Sequence, residues 1–414
     1  MRFSRFCCMV LISLSGGSCV HRTSDPYPHS VSLYAPEYAQ GFYMNEDGNN
    51  RILYVKKSWL NDDKSYFTYL LYPRSDSLLY KGKADHIPYP IKNVVCLSTT
   101  HIAYLESLGK SDMITGVSGA QYISNQKIQE GISLRKVVDV GYEAALNYEV
   151  ILSLHPDVVF AYTIPGATIS YLKPLTQMGV PVVYLSDYLE THPLGKAEYM
   201  VALSAFFDST VMEHTVASFK GMCSAYTDLC NLTRNPSTPT DPHDSTHAQQ
   251  HTSAHDNAHD SASKSPHTST PKILMNAPFK EVWYIPGGDS YMTKLIHDAG
   301  GTILGSKERG LDSQPISLEQ AYLYALEADF WLHPNAFRTL RHLADSDVRF
   351  AQIPAFKAHR VYNNTLRSTS GGGSDFWERG VTEPHLILAD LIKIFHPELL
   401  REHEFVYYEQ LKEE

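Results

Sequence analysis

Residues 196–230, KAEYMVALSAFFDSTVMEHTVASFKGMCSAYTDLC, set Met200, Leu203, Phe207, Val211, Thr215, Phe219, Met222, Tyr226 and Leu229 at steps of three and four. That spacing makes one continuous stripe on a helix of about 50 Å, at 1.5 Å per residue. Phe207-Asp208-Ser209-Thr210 is a point at which such a helix can divide in two. Short apolar strands alternate with helical segments on both sides of it, which predicts parallel sheets. The expected fold class is therefore α/β: two β/α lobes with mostly parallel sheets joined by one long α-helix. A long helix inside one larger α/β domain is the other arrangement this pattern allows.

With 414 residues, the chain has room for two such units. A net charge of −10 argues against nucleic acid as the main partner, and no internal apolar run is long enough to cross a membrane. The N-terminus departs from the rest. Arg2 and Arg5 precede FCCMVLISL, followed by small residues and Cys19. This is the layout of a secretory signal over 1–19. Gly17-Ser18-Cys19 resembles a bacterial lipoprotein cleavage site, although Gly16 stands where Leu, Val or Ile is usual; lipidation at Cys19 or ordinary secretion follows. Cys96, Cys223 and Cys230 then remain. The last two lie about 10 Å apart along a helix, beyond the reach of about 7 Å that a disulfide spans.

Taken in order, 20–85 reads as a tether and N-terminal strands, with Asn45–Asn50 a hairpin turn. Residues 86–190 form the first lobe and 191–232 the interlobe helix. The second lobe is 271–400, and 401–414 is a tail. The two lobes echo each other: NYEVILSLHPDVVF and SLEQAYLYALEADFWL each run polar cap, Glu, helix, acid and buried strand. In parallel sheets ligands sit beyond the carboxyl ends of the strands. In the first lobe this aligns Ser98–His101, Gly119–Tyr122, Tyr162 and Ser186–Tyr188 along one rim.

Residues 233–270 contain no Val, Leu, Ile, Met, Phe, Tyr or Trp, so they have nothing with which to build a core, and disorder is expected. His243, His247, His251, His255 and His259 recur every fourth residue. Imidazoles so spaced suit zinc, copper or nickel, as a low-specificity collecting or sensing loop. The other reading is a low-complexity insert with incidental histidines.

NVVCLSTTHIAYLESLG, ILSLHPDVVF, GVPVVYL, VWYIPGGDSYMTKLIHDAGG, SLEQA and IPAFKAHRVY, in that order, resemble the substrate-binding proteins of ABC importers for vitamin B12, ferric siderophores and haem. The closing GGGSDFWERGVTEPHLILADLIKIFHPEL is similar to their Bacteroidetes lipoprotein branch. The likeness covers roughly 91–232 and 272–400. It implies a class III substrate-binding protein, monomeric and held by lipid in a Gram-negative periplasm. Such a protein passes an iron complex (ferric siderophore or haem) or a corrinoid to an inner-membrane permease dimer. No intrinsic cofactor is implied.

A bulky chelate calls for aromatic walls and a few polar or cationic groups. The candidates are Thr100, His101, Gln121, Tyr122, Tyr162 and Tyr188 from the first lobe. The second supplies Trp283, Tyr284, Tyr291, Arg338, Arg367, Phe376 and Trp377. One of the adjacent Trp283 and Tyr284 is expected to turn into the core. Gly371-Gly372-Gly373 suits close backbone approach or flexibility. His101 and Tyr122 are possible axial ligands to haem iron. The resemblance also implies one permease-docking acid per lobe: Glu319 in the second and, by the echo, Glu149 in the first. A solvated helix-start carboxylate is the plainer account of both.

An enzyme finds little support. Gly288-Asp289-Ser290 has no later Asp-x-x-His, and the two such spacings, Asp244 to His247 and Asp256 to His259, precede it. The stronger rival is a periplasmic zinc or transition-metal-binding protein, or metallochaperone, using the His tract. It would draw on His101, His155, His297 and His333 in the cleft.

Overall fold

The computed structural model describes residues 27–57, 65–80, 82–162, 168–234, 270–306 and 309–414. Cys19, the signal, and His243, His247, His251, His255 and His259 of the tract lie outside them.

The chain opens with a five-stranded sheet in sequential order: β1 Val31–Tyr34, β2 Phe42–Asp47, β3 Asn50–Lys56, β4 Tyr66–Pro73 and β5 His86–Tyr89. β2 and β3 form the expected hairpin, with Asp47 opposite Asn50 and Gly48 at φ +60°. Only β4 and β5 run parallel. A single turn, α1 (Ser77–Tyr80), links them.

The first lobe holds β6 Val94–Cys96, β7 Ile114–Val117, β8 Val138–Asp139, β9 Val158–Tyr162 and β10 Val182–Leu185. They form an all-parallel sheet in the order β10-β9-β6-β7-β8. Its helices are α2 Thr99–Ser107, α3 Gln126–Ser133, α4 Tyr148–Ser153 and α5 Thr168–Gln177.

Two helices, not one, then lead to the second lobe: α6 Pro193–Ser204 and α7 Ser209–Arg234. The expected single helix over 191–232 is corrected here, and the break falls just before the Asp208-Ser209 step noted in the sequence. Arg51 of β3 stabilises it. Its guanidinium donates to the carbonyls of Ala205 (2.7 Å) and Phe207 (2.6 Å) and to Ser209 Oγ (2.9 Å). Carbonyls left open where a helix stops thus gain a buried cationic donor. Every residue of α6 except Lys196 is buried, as expected of a helix without a polar face. In α7 the buried stripe is Met212, Thr215, Phe219, Met222, Tyr226 and Cys230, with Val211 and Leu229 half-buried beside it.

The N-terminal sheet is anchored to this centre by two buried carboxylates. Glu198 of α6 accepts from the Tyr34 hydroxyl and the backbone N–H groups of Glu37, Tyr38 and Ala39. Glu190 accepts from those of Gln40 and Gly41. One hydrophobic core runs from this sheet through α6 into both lobes, and a second covers the outer face of the first-lobe sheet.

The second lobe contains β11 Lys272–Met275, β12 Trp283–Ile285, β13 Thr302–Ile303, β14 Gln314–Ile316, β15 Phe330–Leu332, β16 Val361–Asn363 and β17 Glu409–Gln410. Its main sheet has the order β13-β11-β15-β16-β17, parallel except for β17. β12 leaves the predicted parallel set and pairs antiparallel with β14. The helices are α8 Tyr291–Asp298, α9 Leu318–Glu327, α10 Leu340–Ser346, α11 Pro354–Lys357 and α12 Pro384–Phe395. Residues 401–414, read as a tail, are instead part of this lobe: they supply β17, and Tyr407 and Tyr408 are fully buried.

The internal echo is structural. β10-β9-β6-β7 repeats as β16-β15-β11-β13. In each half a capping side chain, Asn147 or Ser317, opens the helix with Glu149 or Glu319 as its second residue. In each half the acid before the following strand pins the lobe's first strand. Asp157 accepts from Asn93 N at 3.3 Å and Lys92 N at 2.6 Å, and Asp329 accepts from Lys272 N at 2.8 Å.

Candidate functional site

Parallel strands deliver their carboxyl ends to one edge of each lobe, and exposed aromatics follow several of them. Tyr122 follows β7, Tyr142 follows β8 and Tyr188 follows β10. The rings of Tyr122 and Tyr142 lie 5.9 Å apart. The second lobe presents Trp377 in the loop after β16, Tyr284 on β12 and Phe279 between β11 and β12. Large apolar rings left in water by a chain with ample core space are a binding surface in waiting.

The lobes meet through the 367–379 loop. Gly371 and Gly373 pass against the first-lobe backbone so closely that a Cβ on either would meet Gln121 O at 2.8 Å or Tyr122 O at 2.9 Å. Of the two uses open to this glycine run, close approach is the one found, with Gly372 at φ +94° making the turn. Glu378 accepts from Ser124 N (2.7 Å), Ser124 Oγ (2.9 Å) and Asn125 N (3.0 Å). Arg367 pairs with Asp375 at 3.0 Å, and Arg379 with Glu106 at 2.8 Å. Burial pushes the Glu378 carboxyl up to about 7, with neighbouring Asp375 adding to the rise. Pockets open between the lobes on both flanks. One of about 580 Å³ is lined by Ser124, Asn125, Arg367 and Asp375. The other, of about 600 Å³, is lined by Leu189, His192, Ser290 and Thr293.

The structure divides the sequence-derived candidates. Tyr122, Tyr188, Tyr284 and Trp377 are exposed aromatics, with Gln121 exposed beside Tyr122. Tyr162 ends β9 half-buried, its phenol bonded to Tyr171. Thr100 lies in the first turn of α2, its N–H held by Ser98 Oγ. Arg338 is exposed, whereas the charge of Arg367 is committed to Asp375.

Three candidates are corrected. His101 is wholly buried in α2, its ring near Phe160, and desolvation pushes it down to about 4, so it presents nothing to a ligand. Trp283 points into the core and donates to Met275 O at 2.8 Å, while neighbouring Tyr284 points out, as the pair was expected to divide. Phe376 is buried under Trp377, their rings 4.6 Å apart. Tyr291 is part-buried at the start of α8, with the Lys196 ammonium 5.4 Å from its ring centroid.

The histidines of the zinc reading are scattered. His333 is buried, bonded through Nε2 to Tyr408 Oη at 2.7 Å and pushed down to about 3. His155 turns its Nδ1 to Ser153 O. Among the described residues no three His, Cys, Asp or Glu side chains converge to hold a metal ion. Glu149 and Glu319 both stand exposed at helix starts. Cys96, Cys223 and Cys230 are free thiols.

Sequence reasoning missed Tyr142, Ser124 and Glu378. Tyr142 follows a two-residue strand too short to show alternation. The Glu378–Ser124 contact joins positions 254 residues apart.

A family model described as a periplasmic binding protein matches residues 94–164 and 243–365. An uncharacterised lipoprotein of Methanocaldococcus jannaschii is 22% identical over 384 residues, covering 87% of this chain and 80% of its own. Two solved structures align over most of the fold. A possible iron-binding, periplasmic solute-binding protein from Staphylococcus epidermidis gives a TM-score of 0.51 at 17% identity, covering 74% of this chain and 99% of its own. A periplasmic binding protein from Veillonella parvula gives 0.51 at 12%, covering 82% and 97%.

Proposed function

This chain belongs to the periplasmic binding protein family, and we propose that it is the substrate-binding component of an ABC importer, held outside the cytoplasm by lipid on Cys19. It captures a metal chelate, either a ferric siderophore, haem or a corrinoid, between Tyr122, Tyr142 and Tyr188 of one lobe and Tyr284 and Trp377 of the other. It then presents the loaded cleft to a permease dimer. The observation that carries this reading is the set of exposed aromatics on both lobes, with Tyr122 and Trp377 flanking the Glu378–Ser124 clasp that joins them. Flat or globular chelates with apolar faces bind such walls by stacking. The iron-binding description of the Staphylococcus epidermidis protein and the lipoprotein name of the archaeal relative lend support.

The mechanism is binding and handover, with no bond broken. Glu149 and Glu319, matched in position on the two halves, are the docking acids we assign to the permease contact. Titrating the purified protein with haem, cyanocobalamin and several ferric siderophores, with and without residues 236–268, tests the assignment. Saturable binding of one chelate, unchanged by the deletion, is expected. A response to zinc or copper alone would overturn it in favour of the metallochaperone reading.

A further inference from the structure

Two adjacent leucines in the link between β4 and β5 are left in water. Leu78 and Leu79 of the single-turn α1 are 92% and 79% exposed, and α1 buries no residue. Neighbouring positions on a helical turn point about 100° apart, so one of the pair could turn to the sheet, and neither does. Tyr80 takes that place. Its ring stacks on Tyr72 at 4.8 Å, and its hydroxyl accepts from Asn50 Nδ2 at 3.1 Å. Tyr27, Tyr43 and Tyr66 join it around a small apolar cluster on the N-terminal sheet, separate from the main core. A leucine pair in water beside a tyrosine-capped face has the composition of a membrane-seating surface. Apolar side chains enter the acyl boundary there, and amphipathic rings sit at headgroup level.

The position of this surface in the chain selects its occupant. β1 starts with Val31 opposite Glu46, next to the Asp47–Asn50 turn that Tyr80 contacts. The chain therefore enters the sheet at the end that carries α1. Cys19 precedes Tyr27 by eight residues, a span of at most about 28 Å. Lipid on Cys19 keeps this end within that distance of a bilayer. Charge around the tip is mixed, with Lys83, Asp47 and Asp85 all exposed, which favours apolar insertion over attraction to anionic lipid. The same end lies away from the cleft. Arg74, just before α1, pairs with Asp157 at the amino end of β9, whereas Lys56 O, at the opposite end of the sheet, accepts from Ser186 Oγ just past β10.

We propose that Leu78 and Leu79 insert into the bilayer that holds the Cys19 lipid, seating the N-terminal sheet on it with the cleft turned to the compartment beyond. This rests on the lipid-anchor reading and adds to it a second contact, made by the protein itself.

The test uses the lipidated protein in vesicles of phosphatidylcholine and phosphatidylethanolamine, on a Cys223→Ser background because Cys96 and Cys230 are buried. An environment-sensitive fluorophore is attached through Leu79→Cys or through Val348→Cys, a second-lobe position with the same 79% exposure. Nitroxides on the lipid acyl chains should quench the probe at 79 at least fivefold more than the probe at 348, in low and high salt alike. Equal quenching at both, none at 79, or quenching that needs anionic lipid and vanishes in salt overturns the proposal. Leu78→Ser/Leu79→Ser should keep the wild-type Tm; a fall of several degrees marks the pair as packed within the protein and overturns it. Self-association of the chain starting after Cys19, abolished by the two serines, assigns the face to a second copy instead. Mass spectrometry of Cys19 reads the anchor separately. A protein without lipid there overturns anchor and seat together, whereas lipidated protein with an unquenched probe at 79 overturns the seat alone.

Discussion

The carboxylate of Glu378 receives the backbone N–H of Ser124 at 2.7 Å across 254 residues of chain, tying the loop between β16 and α12 of the second lobe to the rim of the first. With Asn125 N on its other oxygen, the group is used on both sides. Glu378→Gln keeps one acceptor and turns an amide NH₂ toward the other donor. Leaving that N–H unsatisfied should cost about 1–3 kcal/mol near neutral pH. Denaturant unfolding of the variant measures it.

The same group gives a pH signature. Its carboxyl is raised from the usual value of 4.5 to about 7 in the folded protein. Between those values the folded state holds a proton that the unfolded chain has released, so this contribution to stability falls as pH rises from 4.5 to 7. Glu190, also raised to about 7 by burial, acts in the same direction. Stability measured against pH should therefore decline less steeply over that window in Glu378→Gln than in the wild-type protein. Parallel curves would refute the assignment.

Arg51→Ala should destabilise by about 2–4 kcal/mol, since three hydrogen bonds from a buried cation are lost and two carbonyls at the α6–α7 break are left open. Chemical denaturation reads this directly. A loss below about 0.5 kcal/mol would mean that water replaces the guanidinium without penalty.

Glu149→Lys and Glu319→Lys should leave chelate affinity unchanged, because both carboxylates are exposed, and lower Tm only slightly, because each loses a first-turn acid that favours its helix N-terminus. Uptake by cells carrying the matching permease should fall for each. Normal transport by the double variant would remove these residues from the docking contact.

Much of this fold was legible because local patterns and tertiary structure agree. NVVCLS and VPVVYLS are buried strands flanked by helices, and Gly109, ending THIAYLESLG, has φ +68°. The echo was visible because the repeated acids, Asp157 and Asp329, do the same work in both lobes. What escaped was non-local. The break at Ala205–Asp208 is settled by Arg51, about 155 residues earlier, and the closing segment joins a sheet whose first strand lies more than 130 residues upstream. His101 misled because a rim position in sequence says nothing about the face of α2 on which it falls.

The most direct test of the account is calorimetric titration of a Tyr122→Ala/Trp377→Ala double variant with whichever chelate the wild-type protein binds. Both residues are 45% exposed, so the variant should fold with a near-wild-type melting temperature. Each lost aromatic wall should cost about 1–2 kcal/mol, an affinity loss of tenfold or more in all. Undiminished affinity in a folded double variant would place the ligand elsewhere and contradict the cleft assignment.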